Sequence, residues 1–263
     1  MKTFPPATLA FPVTLQRHAF GPRLVARAGD VWRAMQDVVV DQSSSVGWTP
    51  ERYVEANTMF VVRTMTVKHE REVRIGEPLT GRTWPSRERR QMLFTRQVRL
   101  FGGPDDLIAS ATQEWAYLSR DLVPIRATPD IFAAFTVEPG HPDVELPSFI
   151  GEADQSTHVF DFTTWHGWMD PHSHANHAAY IDYCDEGIAR VVAAQGHDPQ
   201  HLVPLAESVH FRAAIGAGEL ITVETTRAGH TAHGTVYKHR ILSGEKVCAT
   251  ATTLRALLPS SPR

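Results

Sequence analysis

The 263-residue chain has only two cysteines, Cys184 and Cys248, and neither stands at a metal-ligand spacing. Both lie in apolar segments and read as buried thiols of a protein from a reducing compartment. No apolar run approaches the length of a membrane span. The first residues, MKTFPPATLAFPVTLQRH, lack the sustained apolar core of a secretion signal, so a cytoplasmic protein without a membrane partner is expected. Low-complexity tracts are missing as well; 18 prolines and 17 glycines are scattered as punctuation. Without a recognised nucleic-acid motif, and at a net charge of −3, a nucleic-acid partner is not expected. What is present, 42% hydrophobic and 21% charged residues, suits one large or two small globular domains.

Charge is unevenly spread. Residues 1–136 hold 18 Lys and Arg against 14 Asp and Glu, whereas residues 137–263 hold 8 against 15. The densest basic stretch, GRTWPSRERRQMLFTRQVR, contains Arg82, Arg87, Arg89, Arg90, Arg96 and Arg99. On a strand-rich surface it is suited to docking phosphates or an acidic protein. A charged strand edge that discourages aggregation accounts for it equally well.

The hydrophobic pattern runs through the same order twice. A strand over 9–20 precedes a helix over 25–45 that puts Val31, Met35, Val38, Val39 and Gln42 near one face. Strand-like runs follow: MFVVRTMTVKHEREV, EPLTGRTWPS, QMLFTRQVRLF and LIASATQEWAYLS, with FGGPDD turning between the last two. The second half opens with the strand THVFDFTTWHGW. A helix over 176–194 then carries Tyr180, Cys184, Gly187, Ile188 and Val191 on one face, followed by SVHFRAAI, ELITVETTRAG, HGTVYKHRIL and KVCATATTLRALL. Single residues repeat too: GEPLTGRT aligns with GELITVET, Gly47 with Gly196, and FGP at 20–22 with MDP at 169–171. A duplicated domain explains this, with an N-terminal repeat over 1–136, a linker over 137–155 rich in Pro, Gly and acid, and a C-terminal repeat over 156–263. Strand, helix, then antiparallel strands is an α+β plan in which a sheet wraps a helix. Gly187, costly within a helix, predicts close approach to that sheet.

The stretch DPHSHANHAAY, residues 170–180, crowds a carboxylate, imidazoles and a carboxamide in front of an apolar helix. A metal site, a catalytic loop and a polar turn all fit that composition. Helical metal sites pair histidines at i and i+4 and take a further ligand from another element, so Asp170, His172, His174 and His177 are not expected to hold metal. Asp170 by itself also fits an N-cap or Asx turn.

MDPHSHANHAAYIDYCDE resembles the motif D-x-N-x-H-x-N-N-x-x-Y of the acyl-carrier-protein thioesterases of plants and bacteria. EWAYLSRDLVPIRATPDIF resembles the segment in which those enzymes run a Trp-containing strand into a Pro and Arg loop. The Asp170-to-Tyr180 spacing is also similar to that of the 4-hydroxybenzoyl-CoA thioesterase branch. The resemblance implies a tandem (double) hotdog fold, two antiparallel sheets each wrapped around a long central helix, with the catalytic loop in the second repeat and the acyl pocket closed by the first. It implies hydrolysis of an acyl thioester, carried by acyl carrier protein or CoA, without a cofactor, by a monomer or homodimer. Related hotdog proteins dehydrate or hydrate acyl thioesters, and a non-catalytic acyl-binding protein is a further alternative.

The chemistry of a thioester fits these residues. Its carbonyl needs a nucleophile or an activated water, and donors for the oxygen that turns negative. Asp170 supplies the first, and backbone N–H groups near Asn176 and His177, at a helix N-terminus, supply the second. His174 matches the family histidine and would polarise water, orient Asp170 or protonate the leaving thiolate. His172 stands where the plant enzymes carry Asn. Asn176 reads as a loop or cap residue, and Tyr180 as a side chain packed toward the substrate side of the core. Arg87, Arg89 and Arg90 would meet the carrier. One departure stands out: the family's strand Glu and Cys fall on FRAAIG, with Ala213 and Ala214, leaving Glu186, Glu207 or Glu72 as substitutes.

Overall fold

The computed structural model describes residues 4, 5, 8–152 and 156–259. The chain divides into two compact units, Met1–Gln16 with Trp32–Glu145, and Arg17–Val31 with Leu146–Arg263. The segment Arg17–Val31, which includes the first turn of the first helix, thus groups with the second unit.

The first unit is built on β1 (Ala10–Val13), β2 (Thr58–His69), β3 (Leu79–Arg89), β4 (Leu93–Gly103) and β5 (Asp106–Ser119). Their order, β1-β3-β4-β5-β2, is antiparallel throughout. Helix α1 (Ala28–Ser45), from Trp32 onward part of this unit, lays the buried Trp32, Met35 and Val38 on the sheet. A Cβ on Gly81 of β3 would sit 2.1 Å from Val38, so glycine is what admits the helix there. Two short helices, α2 (Pro50–Glu55) and α3 (Pro129–Ala134), each start on a proline after a threonine, as the fixed φ of proline favours at a first turn. Trp48, Phe94, Tyr117, Ile131 and Phe135 close an aromatic cluster beneath them.

The second unit repeats the plan. Strands β6 (Ile150–Gly151) and β7 (Thr157–Thr163) lie against β9 (Leu220–His230), which is followed by β10 (Thr235–Ser243), β11 (Lys246–Leu257) and β8 (Leu202–Phe211). The order β7-β9-β10-β11-β8 is that of β1-β3-β4-β5-β2. Helix α4 (Ala179–Ala194) crosses this sheet, and a Cβ on Gly187 would come within 2.2 Å of Thr225 Oγ1 and 3.5 Å of Phe160. The close approach expected of that glycine is therefore present. Gly47 and Gly196 end their helices at φ 82° and 81°, the left-handed conformation that spares glycine alone the Cβ clash.

Several expectations change in detail. The strand over 9–20 is only four residues long; Arg17–Ala19 is a 3-10 turn, and Phe20 bridges back to Ala26. The strand over 208–215 instead runs Leu202–Phe211, so Ala213 and Ala214 lie beyond it in a loop. Pro204 is tolerated because the β8–β11 register shifts beside it, where a bulge needs no ladder N–H.

The expected linker is bound to the sheets. Glu138 N–H donates to the Pro85 carbonyl, Val144 N–H to Thr112 Oγ1, and His141 stacks edge-on against Trp84 at 4.9 Å, all in the first unit. Leu146 packs on Ala206, Ala228, Val236 and Leu254, and Glu152 pairs with Arg227 at 3.1 Å in the second. Residues 153–155 of that segment lie outside the described residues. Among the described residues no helix is long and apolar enough to cross a membrane.

Candidate active site

The stretch 169–180 forms a tight loop that delivers the chain into α4. Met169 bridges to Ala175, the Asp170 N–H donates to the His174 carbonyl at 2.7 Å, and Ser173 turns the tip at φ 61°. The first repeat builds the same loop from Gly21–Val25: Phe20 bridges to Ala26, the Gly21 N–H donates to the Val25 carbonyl, and Leu24 stands at φ 59°. The backbone is duplicated; the carboxylate is not, because Gly21 stands where the second loop has Asp170.

Asp170 is half-buried and divides its oxygens. Oδ1 accepts the backbone N–H groups of His172 at 2.8 Å and His174 at 3.4 Å, an Asx-type arrangement that shapes the loop. Oδ2 has no hydrogen-bond partner among the described residues. The turn and the reactive readings of Asp170 are therefore compatible, one on each oxygen. His174 is half-buried beside it, whereas His172 projects into solvent. The His177 ring is buried and meets Phe211 edge-on at 6.1 Å. Asn176 Oδ1 accepts the Ala178 N–H at 3.0 Å, an Asx-type turn leading into α4. Its own N–H donates to the Trp168 carbonyl at 3.1 Å, so this first expected oxyanion donor is already engaged by the loop.

Tyr180 is buried between Phe211 and Tyr183, and its hydroxyl donates to the Ala213 carbonyl at 3.4 Å. Burial pushes its phenol far above the usual range, and Cys248, Tyr183, Glu219 and Asp170 add to the rise. The stretch after α4 onto which the family's Glu and Cys fall provides backbone here: the Arg212 and Ala213 N–H groups bond the Cys248 carbonyl, and the Ile215 carbonyl receives the Ala175 N–H at 2.8 Å.

Glu219, which sequence reasoning did not single out, and Cys248, read there only as a buried thiol, flank this loop. Bonds from Ser243 Oγ at 2.7 Å and the Gly216 N–H at 2.8 Å hold the Glu219 carboxyl below its usual range, with a smaller contribution from His174. Glu77 in the first repeat accepts the Arg74 N–H at 3.1 Å in the same manner, so this glutamate secures a turn in both halves. The signal was in the aligned GEPLTGRT and GELITVET. Burial raises the Cys248 thiol, which makes it a poor nucleophile.

Two of the suggested carboxylate substitutes are engaged in ion pairs. Glu207 is fully buried and ion-paired with Arg255, which also holds Asp185 at 2.7 Å; Glu186 pairs with Arg190 on the solvent side of α4 at 2.7 Å. Glu72 belongs to the first unit. Among the described residues no three His, Cys, Asp or Glu side chains are grouped to hold a metal ion.

Two family models match. Residues 43–107 fit the thioesterase superfamily and residues 164–258 the thioesterase-like superfamily, together more than half of the chain. The chain belongs to the thioesterase superfamily. No curated protein sequence matches it. Among solved structures, a Lactobacillus plantarum protein provisionally described as an oleoyl thioesterase superposes at a TM-score of 0.83 with 18% identity, covering 97% of this chain and 98% of its own. The 12:0-ACP thioesterase of Umbellularia californica gives 0.76 at 14% identity over 95% and 98%. An Alicyclobacillus acidocaldarius protein of unknown function with a hot dog fold gives 0.56 at 14% identity over 96% and 94%. Identities this low establish the shared fold. Thioester hydrolysis is the general chemistry that superfamily membership supports.

The arginine-rich stretch of this thioesterase-superfamily chain is not one surface. Arg87 and Arg89 are exposed and pair with Asp143 at 2.9 Å and Glu114 at 3.3 Å, and Arg90 stands in the β3–β4 turn at φ 56°. Arg82 is half-buried and donates to the Thr8 carbonyl. Arg96 and Arg99 are buried, contrary to a uniformly solvated edge. Helix α1 covers Arg96 through Gln42, and Arg99 spends its donors on the Val98 and Ala111 carbonyls and Gln97.

Proposed function

We propose that the chain is a tandem hotdog enzyme that hydrolyses an acyl thioester, releasing a free carboxylic acid, with Asp170 as the essential carboxylate. The observation that carries this reading is the division of labour on Asp170: Oδ1 fixes the loop while Oδ2 stays unengaged at the threshold of α4. Oδ2 draws the proton from a water that attacks the thioester carbon, or attacks that carbon itself to give a mixed anhydride, which water then hydrolyses to the free acid and the Asp170 carboxylate. The tetrahedral oxygen is stabilised at the positive end of α4; collapse breaks the carbon–sulfur bond, and the thiolate takes up, by way of the His174 imidazole, the proton that the water gave up. Asn176 and His177 hold the loop against the helix and Phe211; Tyr180 packs behind it. The first unit supplies the acyl pocket, and Arg87, Arg89 and Arg90 receive the carrier.

The test supplies acyl-CoA and acyl-carrier-protein esters of graded length and follows free thiol, with enoyl-CoA absorbance followed in parallel. Thiol release is expected. Hydration of the enoyl ester without thiol release would assign a hydratase instead, and bound ester without turnover an acyl-binding protein.

A further inference from the structure

The first unit binds a carboxylate on one face of its sheet. Arg96 of β4 meets Gln42 on α1, so its neighbour Gln97 points to the opposite face. Gln97 stands between Trp84 on β3 and Thr112 on β5, and cross-strand partners share a face. The segment 138–144 lies over these three residues: Gln97 Nε2 donates to Asp143 Oδ1 at 3.0 Å, Thr112 Oγ1 accepts the Val144 N–H at 2.7 Å, and His141 meets Trp84. A carboxylate and the N–H of the next residue are thus bound together by an amide and a threonine on adjoining strands.

The second unit repeats this platform with altered chemistry. Alignment of GEPLTGRT with GELITVET sets Thr226 where the first unit has Trp84. Strand register then makes Lys238 on β10 the counterpart of Gln97, and Thr252 on β11 that of Thr112. This face is turned away from α4, since the alternate residue Tyr237 packs on Ile188 and Val192 of that helix. Threonine in place of tryptophan leaves a groove of about 320 Å³, which Thr250, Arg240 and His210 continue. Arg240 is held by Glu224 at 2.7 Å. Lys238 is exposed, meets no carboxylate among the described residues, and has its ammonium 5.9 Å from the Phe149 ring centre. Thr252 Oγ1 likewise makes no hydrogen bond among the described residues. Two cations against one carboxylate leave the groove positive, and an ammonium in place of an amide makes a carboxylate contact charge-assisted.

We infer that this groove docks a segment of a partner protein in which an aspartate or glutamate precedes a residue with a free main-chain N–H. Lys238 receives the carboxylate and Thr252 the N–H, as Gln97 and Thr112 do for Asp143 and Val144. The site lies within the second unit, on the sheet face away from α4, and does not depend on the hydrolytic reading.

The test uses the full-length protein and a fluorescein-labelled peptide of residues 138–147, EPGHPDVELP, the stretch that includes the first unit's own ligand. Fluorescence anisotropy at low salt should show saturable binding that Lys238→Met weakens about fivefold, the upper worth of a surface ion pair. Asp143→Asn in the peptide should cost as much on the parent protein and nothing further on Lys238→Met, because both changes remove the same pair. Thr252→Val should weaken binding by a smaller factor. Lys238→Gln, which installs the first unit's amide, should retain part of it. These side chains lie on the surface, so melting temperatures should match the parent's. A carbodiimide, which joins an amine to a carboxylate with loss of water, should couple the peptide to Lys238, as read by mass spectrometry. Binding that Lys238→Met leaves unchanged, with coupling elsewhere, would mean that the peptide displaces its own counterpart from the first unit, and overturns the site. Equal binding of the Asp143→Asn peptide, with displacement by inorganic phosphate, would assign a phosphate pocket and overturns it too. So does an absence of binding up to about 1 mM peptide.

Discussion

Asp170 and His174 are joined twice through the same short loop: the Asp170 N–H donates to the His174 carbonyl at 2.7 Å, and the His174 N–H reaches back to Asp170 Oδ1 at 3.4 Å. Shape and charge can therefore be separated by substitution. Asp170→Asn keeps an acceptor oxygen for the loop and removes the anion, so kcat should fall by about two to four orders of magnitude with the melting temperature nearly unchanged. Asp170→Ala removes both and should also cost about 1 kcal/mol of stability, the usual worth of a lost capping acceptor. Stopped assays and thermal melts on the two variants give the comparison. Full activity in Asp170→Asn would move the chemistry to another loop.

Gly187 meets Thr225 where the helix crosses the sheet, and the missing Cβ is what permits the contact. In Gly187→Ala the new methyl would lie 2.2 Å from Thr225 Oγ1, which cannot swing away because it is bonded to His239 Nδ1 at 3.0 Å. The gain in helix propensity, about 1 kcal/mol, is outweighed by overpacking of about 1–3 kcal/mol plus the disturbed hydrogen bond. Denaturant midpoints should fall in Gly187→Ala and recover partly in Gly187→Ala/Thr225→Ala. A stabilised single variant would show the helix standing further from the sheet.

Periodicity made the repeated element order legible, since each element's apolar face is local to it. Gly187, Gly47 and Gly196 announced themselves because a glycine inside or ending a helix has few other uses. Arg96 and Arg99 were misread, for their burial depends on distant groups: Gln42 on α1 for one, carbonyls of two neighbouring strands for the other. The FRAAI run reads as a strand by composition, yet the chain turns there because Arg212 and Ala213 both bond the Cys248 carbonyl. The family resemblance pointed to Asp170 in the loop before α4; that the loop engages Oδ1 alone was not legible, since that follows from how the loop closes on itself.

The pH response of the second unit should carry the mark of His239. Its ring is buried, with Nδ1 on Thr225 and Nε2 on Thr253, both at 3.0 Å. Burial first, and the Arg255 charge second, bring its pKa down to about 3 from the model-peptide value of 6.5. Above pH 6.5 the ring is neutral both folded and unfolded and contributes no pH dependence. Between about 6.5 and 3 only the unfolded chain takes the proton, so stability falls with falling pH at up to about 1.4 kcal/mol per unit. His239→Gln should remove one proton's worth of that slope between pH 4 and 6 in urea melts. An unchanged slope would mean the ring is protonated in the folded state as well.

If the exposed arginines receive a carrier, as proposed, that recognition should be the property most sensitive to salt. Arg87 and Arg89 are each 60% exposed at the side chain, and their pairs with Asp143 and Glu114 are surface ion pairs of about 0–1 kcal/mol. Bonds that weak exchange readily for carboxylates on an acidic carrier protein, and Arg90 in the adjoining turn extends the same charge. Replacing Arg87, Arg89 and Arg90 with Ser should therefore raise KM for a carrier-protein thioester several-fold while leaving kcat intact, because docking remote from the carbonyl acts equally on ground and transition states. The CoA ester of the same acyl group, which presents only its phosphates, should respond less. The difference between the two should shrink as salt rises and the screening length drops below about 8 Å. Melting temperatures should stay close to the parent's, since only surface pairs are lost. Identical KM values for parent and triple variant on carrier substrates at low salt would leave these arginines as a solvated strand edge.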